Sequence, residues 1–273
     1  MLAKRAKLSH PFGVQPSGNA LMAPSSPLSG SSYGWFAMLP HPLILEVLCR
    51  LDAKTLAKLA QCSRAMYVFS HANDLWKGLV VKRFNQGFTY FASWKDTYAF
   101  NAASEYRTAI VPLTVEGLYS DVLYDPWMMA TTPIALHWQG NNNMEVVSTA
   151  ISPVEFRQRF ELPSRPCKLT QLVATWTALG QWPTKLAQLC ADVKLEAFDE
   201  YLGSVQLTMQ QYLDFASQTS DARPLYIFEP RFVEKLPQLA EHWAVPDMFD
   251  QDLMAVLGPT RPDFRSVSSS LLA

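Results

Sequence analysis

Glycine and cysteine are scarce in this chain, whereas proline is plentiful. The 273 residues include 11 glycines and 4 cysteines against 19 prolines. No two cysteines form a C-x-x-C pair, so the sequence predicts neither a zinc site nor a thiol redox motif. Scattered cysteines are typical of small buried side chains in a reducing compartment, and we therefore expect the nucleus or the cytoplasm. The four are Cys49, Cys62, Cys167 and Cys190.

Long apolar runs and an excess of one charge are also missing. No uninterrupted apolar stretch approaches the roughly 18 residues of a membrane-spanning helix. Lysines and arginines (23) nearly balance aspartates and glutamates (24), which leaves a net charge of −1. With this balance, the chain lacks the excess of positive charge that typically attracts nucleic acid or an anionic membrane surface. The sequence therefore predicts that the chain binds neither.

A dense series of short amphipathic helices is predicted for residues 39–84. Apolar residues recur with helical period after Pro42, which suits a first helical turn because its missing N–H would have no partner there. Asp52, Ser63 and Asn73 each precede such a pattern and are predicted N-caps. A helical unit this small buries little core by itself, so leucines left on its outer face would form a surface for a partner.

The order of landmarks in this stretch resembles an F-box. Leu39-Pro40-x-Pro42 is followed by an aliphatic helix, then Leu51-Asp52, and finally Leu75-Trp76. The resemblance implies docking onto a Skp-type adaptor of a cullin-based SCF ubiquitin ligase, which would recruit an unknown protein target. The alternative is an ordinary helical subdomain packed on the rest of the chain. The residues predicted to form the core and adaptor-binding surface are Leu39, Pro40, Leu43, Ile44, Val47, Leu48, Leu51, Leu56, Leu59, Leu75 and Trp76.

After residue 110 short predicted strands and helices alternate, which indicates an α+β fold. Several blocks there resemble, in order, the front of a JmjC domain, the cupin-type iron(II)/2-oxoglutarate oxygenases, in the branch of the Jumonji lysyl hydroxylases and arginine demethylases. The resemblance implies an all-α F-box cluster followed by the helix-rich front of a jelly-roll, incomplete at its C-terminus. The blocks are Tyr119-Ser120-Asp121, Pro126-Trp127, Glu155-Phe156, Arg165-Pro166, Trp182-Pro183, Pro224 to Phe228, Val245-Pro246 with Phe249, Asp252-Leu253, and Leu257-Gly258 with Arg261 to Arg265.

Composition and resemblance together predict five segments. Residues 1–34 are rich in serine, proline and glycine without periodicity, and are predicted to be a disordered leader. The F-box is predicted at 35–86, a helical connector at 87–109, the N-terminal part of the JmjC-like domain at 110–265 and a tail at 266–273.

The iron ligands of the JmjC family cannot be placed on this sequence. The family implies a His-x-Asp or His-x-Glu pair with a later histidine, but none of the five histidines here has Asp or Glu two residues later. His137 and His242 each lie beside a tryptophan and are predicted to be structural rather than metal ligands. Only Tyr226 matches a residue lining the family's pocket, as a vestigial pocket residue. The sequence therefore predicts no catalytic residue, no metal ligand and no cofactor, and that this chain is not an enzyme.

Three functional interpretations remain open from the sequence. The preferred one is a non-catalytic F-box adaptor with a truncated JmjC-like module. The alternative is a fragment of a JmjC hydroxylase or demethylase whose catalytic half is missing, with iron and 2-oxoglutarate expected only in a full-length relative. A weaker third is that the second half binds a substrate or pairs non-productively with such a relative.

Overall fold

A computed structural model of the chain describes residues 9–22, 27–103, 112–134, 140, 143–148, 151–229 and 232–249. The chain forms two compact units. Unit one comprises Met1–Thr132, Ala197–Leu207 and Gln211–Leu225, and unit two comprises Pro133–Glu196, Thr208–Gln210 and Tyr226–Ala273. Within the described ranges, no helix is both long enough and apolar enough to cross a membrane.

Helices dominate the described residues, and the strands are short. The α-helices are α1 His41–Leu48, α2 Ala53–Leu59, α3 Arg64–Phe69, α4 Asn73–Arg83, α5 Trp94–Ala102, α6 Asp121–Thr131, α7 Pro153–Phe156, α8 Ala178–Cys190, α9 Met209–Gln218 and α10 Phe232–Lys235. The strands are β1 Glu145–Ser148, β2 Cys167–Thr170, β3 Lys194–Asp199, β4 Gly203–Thr208 and β5 Tyr226–Ile227. Five 3-10 helices are Ser17–Leu21, Gly30–Ser32, Gly34–Met38, Pro237–His242 and Asp247–Phe249, and a π turn, Arg157–Glu161, continues α7.

Helices α1 to α4 form the predicted helical cluster of unit one, and two of its predicted caps are confirmed. The Asp52 carboxylate accepts the Thr55 N–H at 2.7 Å, and the Ser63 hydroxyl accepts the Met66 N–H at 3.1 Å. The third cap is wrong by one residue: Ala72 is the N-cap of α4. The backbone already turns at Ala72, whose N–H donates to the Phe69 carbonyl, so the helix begins with the residue that was expected to cap it.

The leader predicted to be disordered contains a packed segment. Val14 is fully buried, and Gln15 bridges Tyr119 in parallel register. Gly13 has φ +76°, and a Cβ built there would lie 2.5 Å from the Val115 carbonyl oxygen, so the close approach of the two backbones requires glycine. The segment is held in place by backbone pairing and not by an amphipathic face, so its sequence shows no hydrophobic periodicity that would have predicted this order.

A buried ion cluster joins α4, the end of β3 and the segment after α9, and all of its residues belong to unit one. The Lys77 ammonium lies 2.5 Å from Asp199 Oδ2 and 3.2 Å from Asp221 Oδ2, and the Lys77 side chain is 1 % exposed. It also donates to the Arg223 carbonyl oxygen. The Trp94 indole N–H donates to Asp221 at 3.0 Å. This cluster ties the F-box-like helices to residues far along the chain.

Small sheets and mixed helices confirm the α+β prediction, in keeping with part of a jelly-roll. Strands β1 and β2 pair in parallel, with Glu145 opposite Cys167 and Ser148 opposite Thr170. Val147 of β1 belongs to a buried core of unit two together with Ile151 and Phe160, and Cys167 and Leu169 of β2 pack against this core. The second sheet has the order β4-β3-β5.

Two helices contain a proline after their first turn. Helix α6, Asp121–Thr131, continues through Pro126. Helix α8, Ala178–Cys190, continues through Pro183. Because proline favours a first helical turn, a proline in the sequence is a poor guide to where these two helices begin.

Candidate adaptor-docking surface

Helix α1 divides the predicted adaptor-binding residues into an inner and an outer set. Ile44 and Leu48 are 0 % exposed and belong to the core of unit one, whereas Leu43 and Val47 are each 44 % exposed. Leu43 and Val47 are four residues apart, so they lie one turn apart on the same face of α1. Only this outer set is available to a partner.

Three further predicted residues support the cluster from inside. Leu56, Leu75 and Trp76 are all buried. The Trp76 indole N–H donates to the Ser70 carbonyl oxygen at 2.7 Å, which satisfies the one polar group that this ring buries. The remaining members are exposed Pro40 and the half-buried Leu39, Leu51 and Leu59.

Sequence analysis missed two exposed side chains just before α1. Trp35 is 91 % exposed and Met38 is 82 % exposed, and both lie in the 3-10 helix that ends two residues before Pro40. Tryptophan and methionine are enriched in protein interfaces, so these two residue types in the sequence could have indicated an interaction surface before α1. We call five exposed apolar side chains of residues 35–47 the docking face: Trp35, Met38, Pro40, Leu43 and Val47.

A polar contact anchors the start of α1 within unit one. His41 Nδ1 lies 2.9 Å from the Ser120 hydroxyl, and its ring stacks on Tyr33 at 5.7 Å between centroids. Burial lowers the pKa of His41, although the Asp121 charge opposes the shift. This shift favours the neutral imidazole, which holds the start of α1 in place through its contact with Ser120.

Cys49 and Cys62 were expected to be buried, and this is wrong, because both are exposed. Their thiols donate to carbonyl oxygens of their own helical segments, Glu46 at 2.9 Å and Lys58 at 3.5 Å. Cys49 is the C-cap of α1 and Cys62 follows the end of α2, where the chain turns at the surface. The scatter of cysteines along the sequence carries no information on this local position.

The residues singled out in the JmjC-like half do not converge in the described structure. Tyr226 lies in β5 and is 43 % exposed. His242 Nδ1 accepts the indole N–H of Trp182 at 3.0 Å, a structural contact within unit two. His137 and the block Arg261 to Arg265 lie outside the described residues.

The family's iron centre does not fit the residues that the structure describes. Non-haem iron of this type needs two histidines and a carboxylate on one face. In the described ranges no group of three or more His, Cys, Asp or Glu side chains is arranged to hold a metal ion. We therefore derive no reaction step through iron.

Comparison with known proteins supports both resemblances. Residues 36–82 match the F-box-like family model, inside the predicted 35–86. The chain is 31 % identical over 96 % of its length to the arginine-specific demethylase JMJ22 of Arabidopsis thaliana, and 25 % identical over 85 % to that plant's lysine-specific demethylase JMJ21. It is 37 % identical over 38 % of its length to the bifunctional arginine demethylase and lysyl-hydroxylase psr-1 of Caenorhabditis briggsae.

Residues 36–82 are an F-box-like segment, and the chain is homologous to the JmjC-domain demethylases JMJ22 and JMJ21. It spans 52 % of JMJ22, 25 % of JMJ21 and 27 % of psr-1. The prediction that this JmjC homologue is not an enzyme is wrong, because relatives matching 96 % and 85 % of the chain are named demethylases. That prediction relied on one short ligand motif, whereas the similarity runs along the chain. The predicted domain bounds stay predictions.

Proposed function

We propose that this JmjC homologue docks through its F-box-like helices onto a Skp-type adaptor of an SCF ubiquitin ligase. The observation that carries the proposal is the division of α1, which buries Ile44 and Leu48 completely while leaving Leu43 and Val47 exposed. A helix that only packed on its own chain would not need apolar side chains on its outer face. Exposed apolar side chains next to one another mark interaction sites.

The docking face can supply a useful binding free energy. Fully burying a leucine or valine contributes about 1.5–3 kcal/mol, so burying the exposed fraction of Leu43 or Val47 contributes on the order of 1 kcal/mol each. Trp35 exposes a much larger ring, and tryptophan is the residue type most often found to dominate an interface. The expected hot spot therefore comprises Trp35 with the outer side of α1.

Co-purification of a Skp-type adaptor with a double variant tests the proposal. Leu43→Asp with Val47→Asp places two charges on the outer side of α1 and leaves the inner side intact. Met129→Asp is the matched control, since Met129 is 72 % exposed on α6 and lies outside the docking face. We expect the double variant to lose the adaptor and the control to retain it. Undiminished capture by the folded double variant would refute this mode of docking.

A second candidate function, demethylation, is favoured by the similarity to JMJ22 over 96 % of this chain. Demethylation of the JmjC kind requires iron(II) and 2-oxoglutarate. Because the described residues do not supply an iron site, ligands for such a reaction would have to come from outside the described ranges. The test is formaldehyde release from a dimethylarginine peptide, which we expect to depend on both iron(II) and 2-oxoglutarate. Release no greater than that of heat-inactivated protein would rule out this activity.

A further inference from the structure

A cavity of about 300 Å³ lies inside unit one, apart from the docking face. The leader contributes His10, Pro11 and Phe12 to its wall. The other walls come from the end of α3 and the start of α4, the start of α5, α6, and residues 220–223. This volume is at the lower end of the range for small-molecule sites, about 300–1,000 Å³.

The carboxylates that line the cavity already have partners. Asp74 forms an ion pair with Arg223 at 2.5 Å. Asp221 is paired with the buried Lys77 cluster, and Asp96 accepts the hydroxyl of Ser93 at 2.6 Å. Asp74 and Asp221 are therefore each paired with a cation of the chain, and Asp96 is hydrogen-bonded to a hydroxyl.

Lys95 is the cavity's cation that has no ion pair among the described residues. Its ammonium lies 5.4 Å from the centre of the Trp76 ring. Burial lowers the pKa of Lys95, although the Asp96 charge opposes the shift. The Lys95 ammonium lies 2.6 Å from His71 Nε2, and no carboxylate of the described residues lies within ion-pair distance of it. His71 Nδ1 lies 2.6 Å from the Tyr67 carbonyl oxygen, to which it can only donate, so Nε2 accepts from Lys95 and the ring is neutral. A half-buried ammonium that is hydrogen-bonded to a neutral ring retains the capacity to pair with an anion.

The cavity's histidines add no positive charge. Burial lowers the pKa of His10 to about 4, although a backbone hydrogen bond with Leu123 opposes the shift. Burial likewise lowers the pKa of His71, and the Lys95 charge adds to the effect while the Tyr67 hydrogen bond opposes it. Lys95 therefore supplies the positive charge that a ligand would meet.

We propose that this cavity binds a small organic carboxylate, whose anionic group pairs with Lys95 and whose apolar body contacts Phe12 and Trp127. The walls favour this class, because two aromatic rings, Leu123 and several prolines surround an ammonium that has no ion pair among the described residues. A phosphate would instead call for several converging donors, such as a bidentate arginine, and Arg223 is already engaged by Asp74. The site is distinct from the docking face and does not depend on the proposed function.

Titration of the full chain with 3-phenylpropionate tests the proposal, with its primary amide as the matched neutral ligand. Binding is followed by isothermal calorimetry and by tryptophan fluorescence. We expect the acid to bind at least tenfold more tightly than the amide. Equal affinity of the two, or no binding of the acid at millimolar concentration, would overturn the proposal without any variant.

Two lysine variants then locate the charge. Lys95→Met keeps an apolar stem and removes the ammonium, while Lys82→Met makes the same change at an exposed position on α4. Loss of the preference for the acid in Lys95→Met, and its retention in Lys82→Met, is the expected pattern. An unchanged preference for the acid in Lys95→Met would refute the pairing of the ligand with Lys95. If that variant does not fold, the comparison of the acid with the amide on the unaltered chain still tests whether the cavity prefers an anion.

Discussion

Replacement of Lys77 by methionine is expected to destabilise unit one strongly. Lys77 lies in α4 of the F-box-like cluster, and its ammonium is shared between Asp199 and Asp221 in an interior with almost no solvent access. Methionine fills a similar volume but carries no charge. Lys77→Met therefore leaves two carboxylates buried next to each other without their counter-ion.

The magnitude follows from the cost of a buried charge that has lost its partner. Removing one partner of a buried ion pair costs about 3–5 kcal/mol, because the remaining charge can no longer be compensated. The Trp94 indole N–H still donates to Asp221, which reduces the cost at that carboxylate. We therefore expect a loss of about 3 kcal/mol or more in the free energy of unfolding.

Urea unfolding monitored by tryptophan fluorescence measures this loss. Lys82→Met is the matched control, since Lys82 lies on the same helix and is exposed, and we expect it to change the stability by no more than about 0.5 kcal/mol. The triple variant Lys77→Met, Asp199→Asn, Asp221→Asn should recover part of the loss because it removes the orphaned charges. A Lys77→Met protein as stable as the Lys82→Met control would show that the cluster does not stabilise unit one.

Three smaller predictions concern other parts of unit one. Burial acts to raise the pKa of Asp199, but the contacts of its carboxylate with Lys77 and the backbone hold this pKa below its usual value. Asp199 therefore stabilises the fold above the ordinary carboxyl pKa of about 3.9, and this stabilisation is lost as the pH falls toward the lower pKa of the folded state. Urea unfolding midpoints measured between pH 5 and pH 2.5 should show the loss. Ser63→Ala should cost about 1 kcal/mol by removing the cap of α3, whereas Ser63→Thr should retain most of it in the same assay. Gly13→Ala should cost about 1–3 kcal/mol through its positive φ and its clash with Val115, and hydrogen exchange of the leader should accelerate.

Local features of the helical cluster could be predicted from the sequence. The caps at Asp52 and Ser63 involve residues within three positions of each other, so short-range pattern and chemistry suffice. The division of α1 could not be predicted. Leu43, Ile44, Val47 and Leu48 are all aliphatic, so periodicity marks two adjacent stripes and only the surrounding elements decide which one is buried.

Long-range contacts account for most of what the sequence did not reveal. A lysine within a helix is usually solvated, and nothing near Lys77 in sequence indicates that Asp199 and Asp221 surround it. The cavity next to Lys95 likewise combines the leader, four helices and residues 220–223, which no local pattern connects. Residues 12–15 showed no periodic pattern in the sequence because their order comes from backbone pairing with residues 115–120.

Calorimetric titration of a purified Skp-type adaptor into the folded chain tests the docking face most directly. We expect a saturable complex with one adaptor per chain, and no detectable heat of binding when Leu43 and Val47 are both replaced by aspartate. Trp35→Ala should weaken the complex measurably, because Trp35 is the largest exposed ring of the docking face. Absence of binding by the unaltered chain, or equal binding by the folded double variant, would contradict the proposed role of these helices.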